Sequence, residues 1–202
     1  MRNANKNEAK VSKRAKGGME YLDALQEKYS KLCIVRVDFG YKKDENGKVD
    51  VSLDEANKDF HRMLNNRRGK PSVFEHQVGY MCLKEYTKDK GMHFHTLFAF
   101  DGNKVQKDAH MGDELGKCWN KTTKEKGSYF NCNRQDYKYK GVGILKHTEI
   151  EKREILDKHV ASYLYKDDEE QDLASVKSND KNRAFVRGTM PKSKGNIGRP
   201  RG

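Results

Sequence analysis

Hydrophobic positions along residues 19–166 change period several times, and each change predicts an element. In "MEYLDALQEKYSKL" (19–32), Leu22, Leu25, Tyr29 and Leu32 fall at helical spacing. "CIVRVDFGY" (33–41) alternates instead, with Val35, Val37 and Phe39 on one face, so it predicts a strand. "KKDENGK" has turn chemistry, and Ser52 with Glu55 has the pattern of a capping box. Behind that cap Leu53, Ala56, Phe60, Met63 and Leu64 share one helical face, and Gly69 and Pro71 stop the helix. "VGYMCLKEY" (78–86) predicts a second strand, and "TKDKG" a turn into a third, "GMHFHTLFAF" (91–100). A helix around 105–119, weakened by Gly112 and Gly116, precedes broken β structure in "SYFNCNRQDYKYKGVGILK". "IEKREILDKHVASYLYK" (150–166) predicts a last helix, with His159 and Tyr163 on one side. This order predicts an α+β fold: an antiparallel sheet carrying the histidine strand, flanked by helices.

The third strand poses the chemical question. Period two puts His93, His95, Leu97 and Ala99 on one face, and Met92, Phe94, Thr96, Phe98 and Phe100 on the other, which reads as core. Two imidazoles on one face make either a chelate or two surface histidines. Across the predicted hairpin, Glu85 lies eight residues before His93. If it shares the histidine face, the three side chains form a mixed nitrogen and oxygen donor set. Such a set suits Mn2+ or Mg2+ acting on phosphates, with positions left open for water or phosphate oxygens.

Charge changes the picture at the two ends. The 202 residues carry a net +12. Residues 1–16 hold six Lys/Arg against one Glu, and residues 171–202 hold eight against two Asp, while the span between is almost neutral. Basic ends on a folded middle point to a polyanion, most often nucleic acid. The chain therefore divides into a basic, disordered arm (1–18), a nearly neutral folded domain (19–170) and a basic tail (171–202). No run has the length of a membrane span and no signal-peptide pattern opens the chain, so a cytoplasmic protein without a membrane partner is expected. The four cysteines show no CxxC pairing, which suits reduced thiols.

In the last helix Tyr163 and Lys166 are three residues apart and project from one face. A phenol with a pKa of about 10 is a poor nucleophile at neutral pH. It can attack a phosphodiester where a metal polarises the phosphate and cations favour the phenolate, a charge that Lys166 is placed to supply. Tyr165 is an alternative phenol on a different helical face. Asp38 in "VRVDFGY" is a further acid able to approach the site, or simply a strand acid paired with Arg36.

Together these pieces resemble the HUH endonuclease superfamily, whose fold is ferredoxin-like or RRM-like. "HFHTLF" is similar to its His-hydrophobic-His motif and "YLYK" to its tyrosine motif. Within that superfamily the chain most resembles the replication initiators of filamentous phages, prophages and satellites, through "VRVDFGY", "LKEYTKDKGMHFHTLFAF", "VASYLYK" and "RAFVRGTMPKSK" in order. The resemblance implies that His93, His95 and Glu85 hold a divalent metal and that Tyr163 attacks the scissile phosphate beside Lys166. The products are a 5′-phosphotyrosyl link and a free 3′-OH that primes rolling-circle replication in a bacterial host. The implied substrate is single-stranded or hairpin origin DNA. Because "GDELGKC" is one residue short of a P-loop, a helicase from the host or the element is an implied partner. A single-tyrosine transposase or relaxase, or a non-catalytic DNA-binding protein on the same scaffold, are the alternatives.

Three basic segments are candidates for nucleic-acid contact. "HRMLNNRRGK" offers Arg62, Arg67, Arg68 and Lys70 to phosphates. "DYKYKG" interleaves Lys138 and Lys140 with Tyr137 and Tyr139, as in surfaces that stack bases and track a backbone. "GNIGRPRG" places Arg199 and Arg201 around a Gly-Arg-Pro core of minor-groove type.

Overall fold

The computed structural model describes residues 12–66, 69, 72–165 and 183–192. The elements run α1 (Lys13–Lys28), β1 (Lys31–Tyr41), α2 (Leu53–Asn65), β2 (Gln77–Thr87), β3 (Gly91–Asp101), α3 (Asp108–Thr122), β4 (Gly127–Asn131), β5 (Gly143–Lys146), α4 (Ile150–Ile155) and β6 (Phe185–Arg187). The strands form one antiparallel sheet of order β4-β1-β3-β2-β6, with β5 also paired to β1. Taken alone, β1-α2-β2 and β3-α3-β4 are two split β-α-β units in the order 4-1-3-2, the ferredoxin-like arrangement. The expected α+β class, with helices flanking the sheet that carries the His-x-His strand, is the observed one.

Local chemistry explains the elements. Ser52 caps α2 by accepting from the Glu55 N–H at 3.2 Å. Asp44 closes the turn after β1 by accepting from the N–H groups of Asn46 and Lys48. One face of the sheet is closed by α2 and α3: Phe60 stacks on Phe94 at 5.0 Å, and Trp119 lies 5.2 Å from Phe39 and 5.6 Å from Phe94. Gly116, which looked like a weak point in α3, is needed there. A Cβ would stand 2.3 Å from the Tyr129 ring, so the glycine lets β4 approach.

The other face is covered by α1 and the segment after α4. Tyr21 and Leu25 of α1 lie over Gly79, and Tyr165 lies over Met81. β3 is therefore buried on both faces for most of its length. All four cysteines are free.

Three boundaries differ from the sequence reading. α1 begins at Lys13, inside the span expected to be a disordered arm, because Ser12 accepts from the Ala15 N–H and caps it. β6 lies within the span expected to be a tail. It pairs with β2 over Met81–Leu83, and the bonds Lys84 N to Ala184 O and Gly188 N to Tyr80 O extend the pairing. Its three residues are too short a signal to rise above the basic composition around them. The last helix is not continuous. After α4 a π turn (Leu156–Val160) passes into a 3-10 turn (Ala161–Tyr165). Such changes of pitch re-aim the side chains that follow. His159 and Tyr163 consequently part company: His159 stacks on Tyr139 at 4.4 Å, whereas Tyr163 meets His95.

Candidate metal centre

The β2–β3 hairpin register sets Glu85 opposite His93 and Leu83 opposite His95, which puts all three polar side chains on one face. Glu85 Oε2 lies 3.0 Å from His93 Nε2 and 2.9 Å from His95 Nε2. The ligand atoms of the three residues lie within 4.8 Å of one another, so the group can hold a metal ion. Adjacent ligands about 2.1 Å from a hexacoordinate cation stand about 3 Å apart, which is the spacing between Glu85 and each histidine. The outer nitrogens strengthen the fit. His93 Nδ1 is 3.0 Å from the Gly91 carbonyl oxygen, and His95 Nδ1 is 2.9 Å from Asp38 Oδ2. Both partners are acceptors, so they favour a proton on Nδ1 and turn the Nε2 lone pairs inward. The His95–Asp38 contact is bent away from a well-aligned hydrogen bond.

Asp38 comes from β1, where the register pairs it with His95. It is thus a supporting member of the centre, the first of the two roles open to it in the sequence. Arg36, two residues earlier on the same face, approaches Asp38 at 3.7 Å and lies 5.1 Å from the Tyr163 ring centroid. Burial alone would lower the pKa of His95, but the Asp38 and Glu85 carboxylates raise it to about 9. Burial alone would raise that of Glu85, and its hydrogen bonds to His93 and His95 bring it down to about 2. Protons and a cation therefore compete for the same inward-facing atoms. Two histidines and one carboxylate accept several first-row divalent ions, so the donor set does not identify the metal.

The two tyrosines of the last helix have different surroundings. The half-buried Tyr163 hydroxyl is 3.5 Å from His95 Nε2, with the rings 4.6 Å apart edge to face. Its pKa is raised by burial and by the Glu85 and Asp38 charges, against a lowering influence from Arg36. Tyr165 is buried in the core. Its hydroxyl faces the Met81 sulfur at 3.9 Å, and Gly18 of α1 leaves the space its ring fills, since a Cβ there would clash at 2.2 Å. Burial also raises the Tyr165 pKa. Arg153 fastens the segment to α1, reaching Asp23 at 2.8 Å and Asp157 at 3.0 Å.

The remaining candidates are scattered. Arg62 is on α2, across the sheet from the centre, paired with Asp59 at 3.0 Å. Lys138 lies 5.3 Å from the Tyr139 ring centroid in a cleft shared with Arg36, and Lys140 lines a separate hollow with Asp108 and Glu151. Lys166, Arg67, Arg68, Lys70, Arg199 and Arg201 lie outside the described residues. Sequence reasoning missed Arg36 as a neighbour of the tyrosine and Phe130, which is half-exposed and paired with Asp38. Strand alternation from Asp38 was the signal that placed Arg36 on this face. Among the described residues no helix is long and apolar enough to cross a membrane.

Comparison with curated proteins and with solved structures finds no match. Residues 1–188 match a family model that takes in both the His-x-His hairpin and the Tyr163 segment, and the chain belongs to the YagK/YfjJ C-terminal domain family.

Proposed function

We propose that the protein is a metal-dependent DNA nicking and joining enzyme of HUH type, with Tyr163 as its nucleophile. One observation carries this reading. A phenol from the last helix stands 3.5 Å from a ligand atom of a two-histidine, one-carboxylate cluster built on a distant hairpin. A bound Mn2+ or Mg2+ would polarise a phosphate oxygen and offset the negative charge that now disfavours the phenolate.

The chain's own residues do the rest. His93, His95 and Glu85 would hold the ion against which the phosphate is bound, and Asp38 orients His95. Arg36 lies against the Tyr163 ring, where its charge lowers the cost of ionising the phenol. The phenol loses its proton, and Tyr163 Oη forms a bond to phosphorus as the bond to the 3′ oxygen breaks. That oxygen takes up a proton and leaves as a 3′-OH. One ester replaces another, so the DNA is rejoined by reversal without ATP. In this reading the reaction starts rolling-circle replication of a phage, prophage or satellite, on single-stranded or hairpin origin DNA, with a helicase supplied in trans.

The test is a denaturing gel of the protein with Mn2+ and labelled single-stranded DNA tiling its genetic element. A covalent band present in wild type and Tyr165→Phe but absent in Tyr163→Phe is the expected result. A band that survives Tyr163→Phe overturns the nucleophile. Tight Mn2+ and DNA binding with no adduct on any strand overturns the enzyme in favour of a binding protein on the same scaffold.

A further inference from the structure

The outer edge of β1 is shared. β4 pairs with Val37–Tyr41 and β5 with Lys31–Ile34. Asn133 fills the gap between them: its Oδ1 accepts from the Arg36 N–H at 2.8 Å, and its Nδ2 donates to the Ile34 carbonyl at 2.9 Å. From this buried plug the chain leaves the sheet as a loop and returns at Gly141. There the backbone lies so close to Leu156 that a Cβ would stand 2.7 Å away. The loop is thus held at both roots. Between them it presents Tyr137 and Tyr139, each more than 40 % exposed (43 % and 46 %).

Exposure of two tyrosines on a well-anchored loop calls for an explanation. Tyr139 lies flat on His159 at 4.4 Å with an interplanar angle of 12°. The Tyr137 hydroxyl is tied to the Cys132 sulfur. These rings, with Arg36, Lys138, Val142 and Val160, line a cleft of about 280 Å3. Its lining holds two cations and no carboxylate. Arg36 is common to the cleft and to the Tyr163 surroundings, so the cleft and the tyrosine ring share a neighbour. The Arg36 Nε is buried without a hydrogen bond among the described residues, 3.7 Å from Asp38 Oδ1.

Aromatic faces, flanking cations and the absence of acidic groups suit one ligand chemistry, an unstacked base on a phosphate backbone. We infer that the Tyr137–Tyr139–His159 cleft receives one unstacked base of a single DNA strand, next to the phosphate that Tyr163 faces. The position of that base relative to the cut rests on the proposed nicking reaction; the binding of a base does not. Stacking on Tyr139 supplies affinity, and Lys138 meets the backbone. Holding the neighbouring base fixes the register of the phosphate at the metal centre, which makes Tyr139 a positioning residue and not a catalytic one.

Two measurements on the full chain separate the inference from the reading beneath it. The first needs no chemistry: anisotropy of a fluorescein-labelled oligothymidylate in EDTA. Tyr139→Ala is expected to weaken binding about tenfold and Tyr139→Phe to keep it. The exposed position of Tyr139 keeps thermal unfolding of both variants close to wild type. The second uses the covalent adduct, with each nucleotide near the cut replaced in turn by an abasic residue. One abasic position is expected to lower adduct yield about tenfold in wild type and to cause no further loss in Tyr139→Ala. If no strand is nicked but Tyr139→Ala still weakens binding, the proposed reaction fails and the base cleft stands. If strands are nicked while Tyr139→Ala changes neither measurement, the reaction stands and the base cleft is overturned. Without nicking, unchanged binding by Tyr139→Ala overturns both.

Discussion

The two faces of β3 share a backbone and differ in what they contact. On one, Phe94 and Phe98 meet Phe60, Phe39, Phe74 and Tyr80 at ring distances of 5.0–6.4 Å, and Trp119 seals the layer by donating to the Gly40 carbonyl. On the other, His93 and His95 meet Glu85, Asp38 and Tyr163, and keep only about a tenth of their side-chain surface exposed (12 % and 10 %). The aromatic face gains stability from area removed from water, at about 25 cal/mol per Å2. The polar face gains little that way. Its buried charges are paired with one another, an arrangement that seldom adds net stability. One strand thus places the residues that hold the fold and those that can hold a metal ion a single position apart.

The largest expected effect breaks the aromatic face. Phe94→Ala is expected to cost about 3–5 kcal/mol by urea denaturation, from lost burial and the cavity left behind. His95→Ala, one residue away, is expected to cost clearly less in EDTA above about pH 9, where the imidazole is neutral, and to abolish the response to metal. Wild type with Mn2+ at about 100 times its dissociation constant should gain about 2.7 kcal/mol, and His95→Ala should gain none. Equal losses for the two variants in EDTA would mean that the polar face is structural after all.

A pH series sharpens the same contrast, because the aromatic rings themselves do not titrate and the histidine beside them, His61, has its pKa lowered by burial and by Lys84. In the metal-free protein the folded-state pKa of His95 is raised from 6.5 to about 9. A raised histidine stabilises fully below its unfolded value, and that contribution is lost as pH climbs through about 9. Glu85 behaves in mirror image: held down to about 2, it stabilises above the ordinary carboxylate range and loses its contribution as pH falls toward 2. Between about pH 6.5 and 9 the melting temperature in EDTA should therefore decline. Mn2+ affinity should rise over the same window, since the ion needs His95 Nε2 free of its proton. Calorimetry and Mn2+ titration across this range check both slopes, and His95→Ala should flatten the first.

The smallest expected effect lies beyond the aromatic layer. Arg62 is exposed, and its ion pair is with its helical neighbour Asp59. Arg62→Ala should cost less than about 1 kcal/mol and leave Mn2+ binding and oligothymidylate anisotropy unchanged. A marked loss of DNA affinity would bring the far face of the sheet into the nucleic-acid surface.

Much of this was legible from residue order alone. The two-residue period of a strand is a local property of the backbone, so it separated His93 and His95 from Phe94 with no knowledge of neighbours. The turn Lys88–Lys90 closes a hairpin whose length puts Glu85 opposite His93, and that third ligand followed once the hairpin was assumed. Ser52 marked the start of α2 for the same local reason. Periodicity could not foresee what depends on contacts between distant segments. β6 was hidden because three residues become a strand only when β2 offers an edge. Asp38 acquired its role from the β1–β3 register, a pairing across 57 positions of chain. The choice between Tyr163 and Tyr165 rested on a π turn and a 3-10 turn in what the sequence read as one regular helix. Pitch changes of this kind arise where a helix is packed and clamped, here by Gly141 against Leu156 and by Arg153 against α1. Alternation and capping act within a few residues, so the sequence by itself determined the faces of the strands. Register and helix pitch are set by packing between remote segments, so only the tertiary structure decided which phenol meets the histidines.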